Sequence, residues 1–157
     1  MEERLNMRGQ LILSLSDRSG QMIHQQHPKN RIVLSGRRLV AQLFGGVESG
    51  VPAPKKITQM AVGTDGTDPN DDQTNLLAER SRKAIAQISY EETLEAGVKR
   101  LQASITAEFN FEEANGDDPL REAAILNEDG VMYNRVVFEP VTKTNAFKLT
   151  LLWRVVF

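Results

Sequence analysis

At 157 residues, with no cysteine and a formal net charge of −2, the chain suits one domain burying roughly 70% of its unfolded surface, and it excludes disulfide and thiolate chemistry. The near-neutral balance leaves no basic footprint for nucleic acid or an anionic membrane, and 40% apolar with 25% charged residues is ordinary globular composition. No apolar run approaches the ~20 residues of a membrane span. Met1–Arg4 holds two acids and leads into no signal-type apolar stretch, so the expected product is intracellular.

Residues 9–26 read as a hairpin. Leu11, Leu13 and Leu15 alternate with polar neighbours, Asp17–Gly20 turns, and Gln21–Gln25 returns. Residues 1–29 are therefore expected to form an N-terminal hairpin, either an arm that pairs with a neighbouring subunit or simply part of the sheet. Asn30 has the chemistry of a helix N-cap, and Ile32, Val33, Leu39, Val40, Leu43 and Phe44 recur at helical period until Gly45 and Gly46 stop the helix. Val47–Lys56 is a loop stiffened by Pro52 and Pro54, Ile57–Val62 a short strand, and Gly63–Gln73 a surface loop rich in Gly, Asp and Asn. Thr74 is expected to cap a second short helix with Leu76 and Leu77 inward. A strand over Ala84–Thr93 follows, then a turn at Glu95–Gly97.

The next strand has the clearest pattern. Leu101, Ala103, Ile105, Ala107, Phe109 and Phe111 alternate with polar residues, which demands one buried and one wet face. Ala103 and Ala107 leave room for a large side chain opposite, such as Trp153 or Phe147. After the acidic loop Glu112–Asp118, the C-terminal third reads as strand, tight turn at Asn127–Gly130, strand, loop and strand. In the last strand Phe147, Leu149, Leu151, Trp153, Val155 and Phe157 share a face. Leu152 and Val156 break its polar side, so cover on both faces is expected for part of its length. With no repeat and no heptad run, the fold class is mostly β (α+β): an antiparallel β-sandwich with an N-terminal hairpin and two short helices, residues 30–157 forming the single domain.

Arg121–Asn127 followed by Asp129 and Gly130 resembles the R-E-x-G-L-F-x-x-D-G segment of bacteriophage tail-collar fibre proteins. Ala61–Gly66 and Thr74–Arg80 resemble the A-V-G-x-G and T-x-L-x-x-E segments of the same domain, in the same order, over roughly residues 57–143. Arg135–Phe157 is similar to the R-V-V-F-x-P-x-x-K and L-x-W-x-x-F tail of small stand-alone phage virion proteins. Ala124 stands where the family usually has Gly, and Leu126 where it has Phe. In that family the domain fixes a fibre to the tail. The resemblance therefore implies a non-enzymatic structural protein of the virion, assembled in the host cytoplasm and acting in the tail, baseplate or neck. Its implied partners are other virion proteins; association of copies as a trimer or ring is expected from the strongly apolar final strand. No fibre shaft is expected after the last strand, so an adaptor, collar component or capsid decoration protein fits better than the fibre itself.

The residues offer little to chemistry. His24 and His27 share an H-x-x-H spacing, but at a strand end they do not share a face, and no third ligand stands at a recognisable spacing. Asp65–Asp72 is rich in oxygen, yet Pro69 interrupts it and the EF-hand order is absent, so a solvated loop is the better reading than a Ca²⁺ site. Gly63–Gly66 lacks the Lys-Ser/Thr of a phosphate loop. Arg37 and Arg38 read as a solvated helix face. Glu112 with Glu113, and Asp117 with Asp118, are sequence neighbours that point apart and make poor acid–base couples. Arg121 and Glu122 are expected to pair within the fold or with a neighbour. No catalytic, cofactor-binding or metal residue is assigned, and no small-molecule substrate is implied. A soluble carbohydrate- or ligand-binding β-sandwich is the alternative, but it would want exposed aromatics, and the sole Trp lies on a core face. The apolar final strand must be central in its sheet or covered by a neighbour, since an exposed apolar edge would self-pair.

Overall fold

Strict alternation makes the first sheet. Arg8–Asp17 (β1), Met22–Gln26 (β2), Gln87–Glu95 (β6), Val98–Phe109 (β7) and Phe147–Val156 (β10) pair in the order β2-β1-β10-β7-β6. A computed structural model describes residues 7–157, so the first six residues of the expected arm lie outside it. The second sheet runs β3-β9-β8-β4-β5, with β3 at Arg31–Ile32, β4 at Ile57–Gly63, β5 at Glu79–Ala84, β8 at Leu120–Asn127 and β9 at Met132–Val141. All strand pairs are antiparallel, and the sheets share one apolar core in a sandwich-like arrangement.

The last strand is central. Ten residue pairs join β1 to β10, with Leu11 opposite Trp153, and β7 flanks the other side, with Ile105 opposite Trp153. Ala103 and Ala107 are therefore the diagonal neighbours of the indole, and Trp153 is fully buried. Leu152 and Val156 are half-buried on the opposite face. Because β10 lies inside the sheet, it offers no edge for a neighbouring subunit to cover.

The mostly-β expectation holds, with corrections in detail. Among the described residues there is one helix, α1 at Leu34–Gly45, in place of two. The stretch expected as a second helix is a turn followed by strand β5, paired with β4. Its physical alternative is visible: the amides of Leu77 and Ala78 donate to the Glu122 carboxylate, at 3.1 and 2.7 Å, instead of opening a helix. Helix α1 also starts later than expected. Val33 is its N-cap, with no side-chain cap, while Asn30 precedes β3. A loop serves the first turn, since the Leu34 amide donates to the Asp71 carbonyl at 2.9 Å.

Most of the expected strand over Ala84–Thr93 is β6; only Ala84 belongs to β5, and a sheet switch lies between the two. The Ile85 amide donates to Thr58 in the second sheet, and the Ala86 amide to Thr106 in the first, at 2.9 and 2.8 Å. One continuous segment thus sews the two sheets together along one side.

Candidate functional site

The second sheet is covered on both faces, which is why all but one residue of β8 are buried. One face meets the shared core. On the other, Val33, Leu76, Ala61, Ala124, Leu126 and Met132 form a second small cluster. Inside this outer layer lies a charge pair with no solvent contact. Arg135 Nε donates to Glu122 Oε2 at 2.8 Å, and both side chains are fully buried. Desolvation of two charges is costly unless every remaining site finds a partner. Here the remaining sites do. Arg135 reaches the Thr67 carbonyl at 2.6 Å, the Asp65 carbonyl at 3.3 Å and Gln73 Oε1 at 3.2 Å, while Glu122 accepts the two loop amides. The pair fastens the whole 64–78 connection onto the sheet.

Its neighbours serve the same loop. Arg121 donates to the Thr64 carbonyl and to Asp118, at 3.1 and 2.9 Å. The Asp65 carboxyl is held below its usual range, first by the Thr67 side chain and backbone hydrogen bonds and then by the nearby Arg135 and Arg121 charges. Asp71 pairs with Arg31 and Arg37, at 3.1 and 2.8 Å, which also lowers its pKa. Of the loop's carboxylates, Asp65 and Asp71 are thus committed to arginines and a loop amide, while Asp68 and Asp72 are exposed, as a solvated loop requires. No group of three or more His, Asp or Glu suited to a metal occurs among the described residues.

The 111–118 connection is fastened by a different cation. Lys143 is fully buried as a residue, and its ammonium donates to the carbonyls of Asn110, Phe111 and Thr144 and to Asn115 Oδ1, at 2.8–3.4 Å. Burial pushes its pKa down, and Glu112 and Glu113 oppose that shift. Glu113 itself pairs with Lys83 at 2.5 Å and is held below the usual carboxylate range by that contact. Glu112 instead meets Arg18 at 3.3 Å, so the adjacent acids have separate partners. His24 and His27 are exposed and contact Gln26 and Gln25, each two residues away.

The remaining surface of interest is an open end of the molecule. The β6–β7 hairpin runs out to a two-residue turn at Ala96 and Gly97, both at positive φ, as a type I′ reversal requires. Away from the tip, beside Ile88 and Tyr90, an apolar groove of about 220 Å³ opens between helix α1 and the first sheet, lined by Leu39, Val40, Leu43, Tyr90, Tyr133 and Phe157 among others. The Tyr133 hydroxyl is buried without a hydrogen-bond partner among the described residues, and desolvation pushes its pKa up to about 12. No family model, curated protein or solved structure matches the chain. The sites therefore stand on their geometry. Two are internal fasteners for loops, and the third is an unfilled apolar surface beside the free edge of β6. Sequence reading met Arg135 and Lys143 only as the first and last residues of a family-like segment and gave neither a role. For Arg135 the available signal was a cation set within an apolar strand, at Tyr133–Phe138; Lys143 meets the distant 111–118 loop only in the fold and had no local signal.

Proposed function

We propose that this chain is a non-enzymatic structural protein of a tailed bacteriophage virion, a β-sandwich domain working in the tail, baseplate or neck to hold fibres or neighbouring parts. The observation that carries the reading is the convergence of the family-like segments. Ala61–Gly63 and Ala124–Glu122 are opposite one another on β4 and β8, and Glu122 binds the amides of Leu77 and Ala78 from the third segment. Segments that lie apart in the sequence thus form one physical unit, as motifs of a single attachment domain would. The polar chemistry agrees with that use. The buried charges serve to hold loops in place, and rigid loops and strand edges are what symmetric assembly needs. Its partners on this reading are other virion proteins and further copies of itself.

The test is quantitative mass spectrometry of purified virions separated into heads and tails. A small copy number in tails, a multiple of three or six, is the expected result. Hundreds of copies with heads would turn the role to capsid decoration. Absence from particles would overturn the reading in favour of a soluble binding module.

A further inference from the structure

The end of helix α1 carries both a knob and a hole. Phe44 is 95% exposed, the most exposed large apolar side chain among the described residues. Beside it, Leu39, Val40 and Leu43 of the same helix line the apolar groove. An aromatic ring left in water forgoes one of the largest burial gains a side chain can offer, so its position on a regular helix calls for a cover. The groove suits such a ring in size. An apolar cavity of about 150 Å³ is enough for benzene, and this groove holds about 220 Å³.

We propose that each groove takes Phe44 from a second copy of the chain, in a reciprocal two-fold contact. Knob and hole lie within about a turn and a half of one helix, so a two-fold axis beside the helix end would bring each Phe44 over the partner's groove and close with two copies. The charges agree. Helix α1 has no basic residue in its last turn, and Glu48 follows shortly after, so this end is electronegative. The groove is bordered by Lys56, which makes no ion pair among the described residues. Docking Phe44 would bring the partner's helix end to Lys56, twice over. Tyr90, Leu94 and Leu101, exposed on the neighbouring hairpin, widen the apolar area available to the contact. The two-fold is a pairing unit, three of which make six copies around a tail; the apolar strand that motivated a trimer or ring lies in the middle of a sheet.

This inference deepens the assembly reading and rests on its premise that copies associate, though not on which particle they join. It is tested with the full chain by light scattering coupled to size exclusion, from low to hundreds of micromolar. The expected mass is that of two copies. Phe44→Asp should give one copy that still unfolds cooperatively, its midpoint lowered only by the lost dimer linkage and the acid added at the helix end, since the Phe44 ring stands almost wholly in solvent on its own chain. Lys56→Glu should weaken the dimer by about tenfold, because at each of the two helix ends an attraction between charge and dipole becomes a repulsion. A single-copy mass for the wild type throughout would overturn the proposal and leave the groove to another occupant. A dimer indifferent to Phe44→Asp, or a mass of three or more copies, would overturn it too. A chain absent from virions that still dimerises through Phe44 would sink the virion reading alone. A virion component whose association ignores Phe44 would sink this inference alone.

Discussion

Two hairpins of similar length lie at opposite extremes of burial. In β8–β9, seven of the eight residues of β8 are buried; in β6–β7, no residue of β6 is. Both close with tight turns containing a glycine at positive φ, Gly130 and Gly97. Turn chemistry therefore does not set the difference. Composition does. β8 places small or aliphatic residues, Ala123–Leu126, on both faces, so layers can close on either side. β6 places Glu91, Glu92 and Glu95 among its apolar residues, and acids along an edge discourage further strand pairing there. One hairpin is a wall that holds loops, and the other is a surface left for something else.

The comparison can be broken at its hardest point first. Arg135→Met leaves the buried Glu122 carboxylate without its cation, and should cost roughly 3–5 kcal/mol in urea unfolding. Adding Glu122→Gln should recover part of that loss, but not all, because the Leu77 and Ala78 amides keep needing an acceptor. A shift below about 1 kcal/mol for Arg135→Met would show that water reaches the pair. Next comes Gly36, where helix α1 crosses β9. A Cβ there would run into the Tyr133 carbonyl, so Gly36→Ala should cost about 1–3 kcal/mol despite its better helix propensity. A stabilised variant would mean that the helix stands further off.

The exposed hairpin should respond only to gentler changes. Glu95 near its tip is held below the usual carboxylate range, chiefly by its hydrogen bond to Arg8, with the Arg8 and Arg100 charges adding to it. A lowered folded pKa means that this tether is intact above the ordinary value of 4.5 and is lost as pH falls through the depressed one. Hydrogen exchange, corrected for its intrinsic pH dependence, should therefore rise in β6 on acidification before it rises in β8. Simultaneous loss would mean the two hairpins unfold as one unit. The smallest effect is expected at Leu94, 73% exposed, where Leu94→Ser should move stability by less than about 0.5 kcal/mol. A larger loss in the isolated monomer would show that the hairpin tip packs on itself.

The strands with one wet face were legible in the sequence. Leu101–Phe109 alternates without fault and Phe147–Val155 does so except at Leu152, and two alanines flanking Ile105 announced the large residue that proves to be Trp153. What was not legible is instructive. β5 is a solvated edge with Arg80, Arg82 and Lys83 and no apolar alternation, so the leucines ahead of it suggested a helix. The sheet switch at Ile85 and Ala86 leaves no local mark, since each amide finds its acceptor in a different distant strand. The Glu122–Arg135 pair depends on the register of two strands, which shifts near Leu120 and again near Leu126. Periodicity cannot report a bulge, because one extra residue flips every side chain after it.

The register of the first sheet also orders events in time. Leu11 must wait for Trp153, so the centre of that sheet closes the longest loop in the molecule. Strands β4, β5, β8 and β9 are all synthesised before β10, and the second sheet can zip up without it. A nascent chain would then emerge with Leu11, Leu13 and Leu15 displayed on a strand that lacks its main partner. Pulsed hydrogen exchange should find β8 amides protected before those of β1. Until β10 arrives, that early strand is the one most in need of a chaperone.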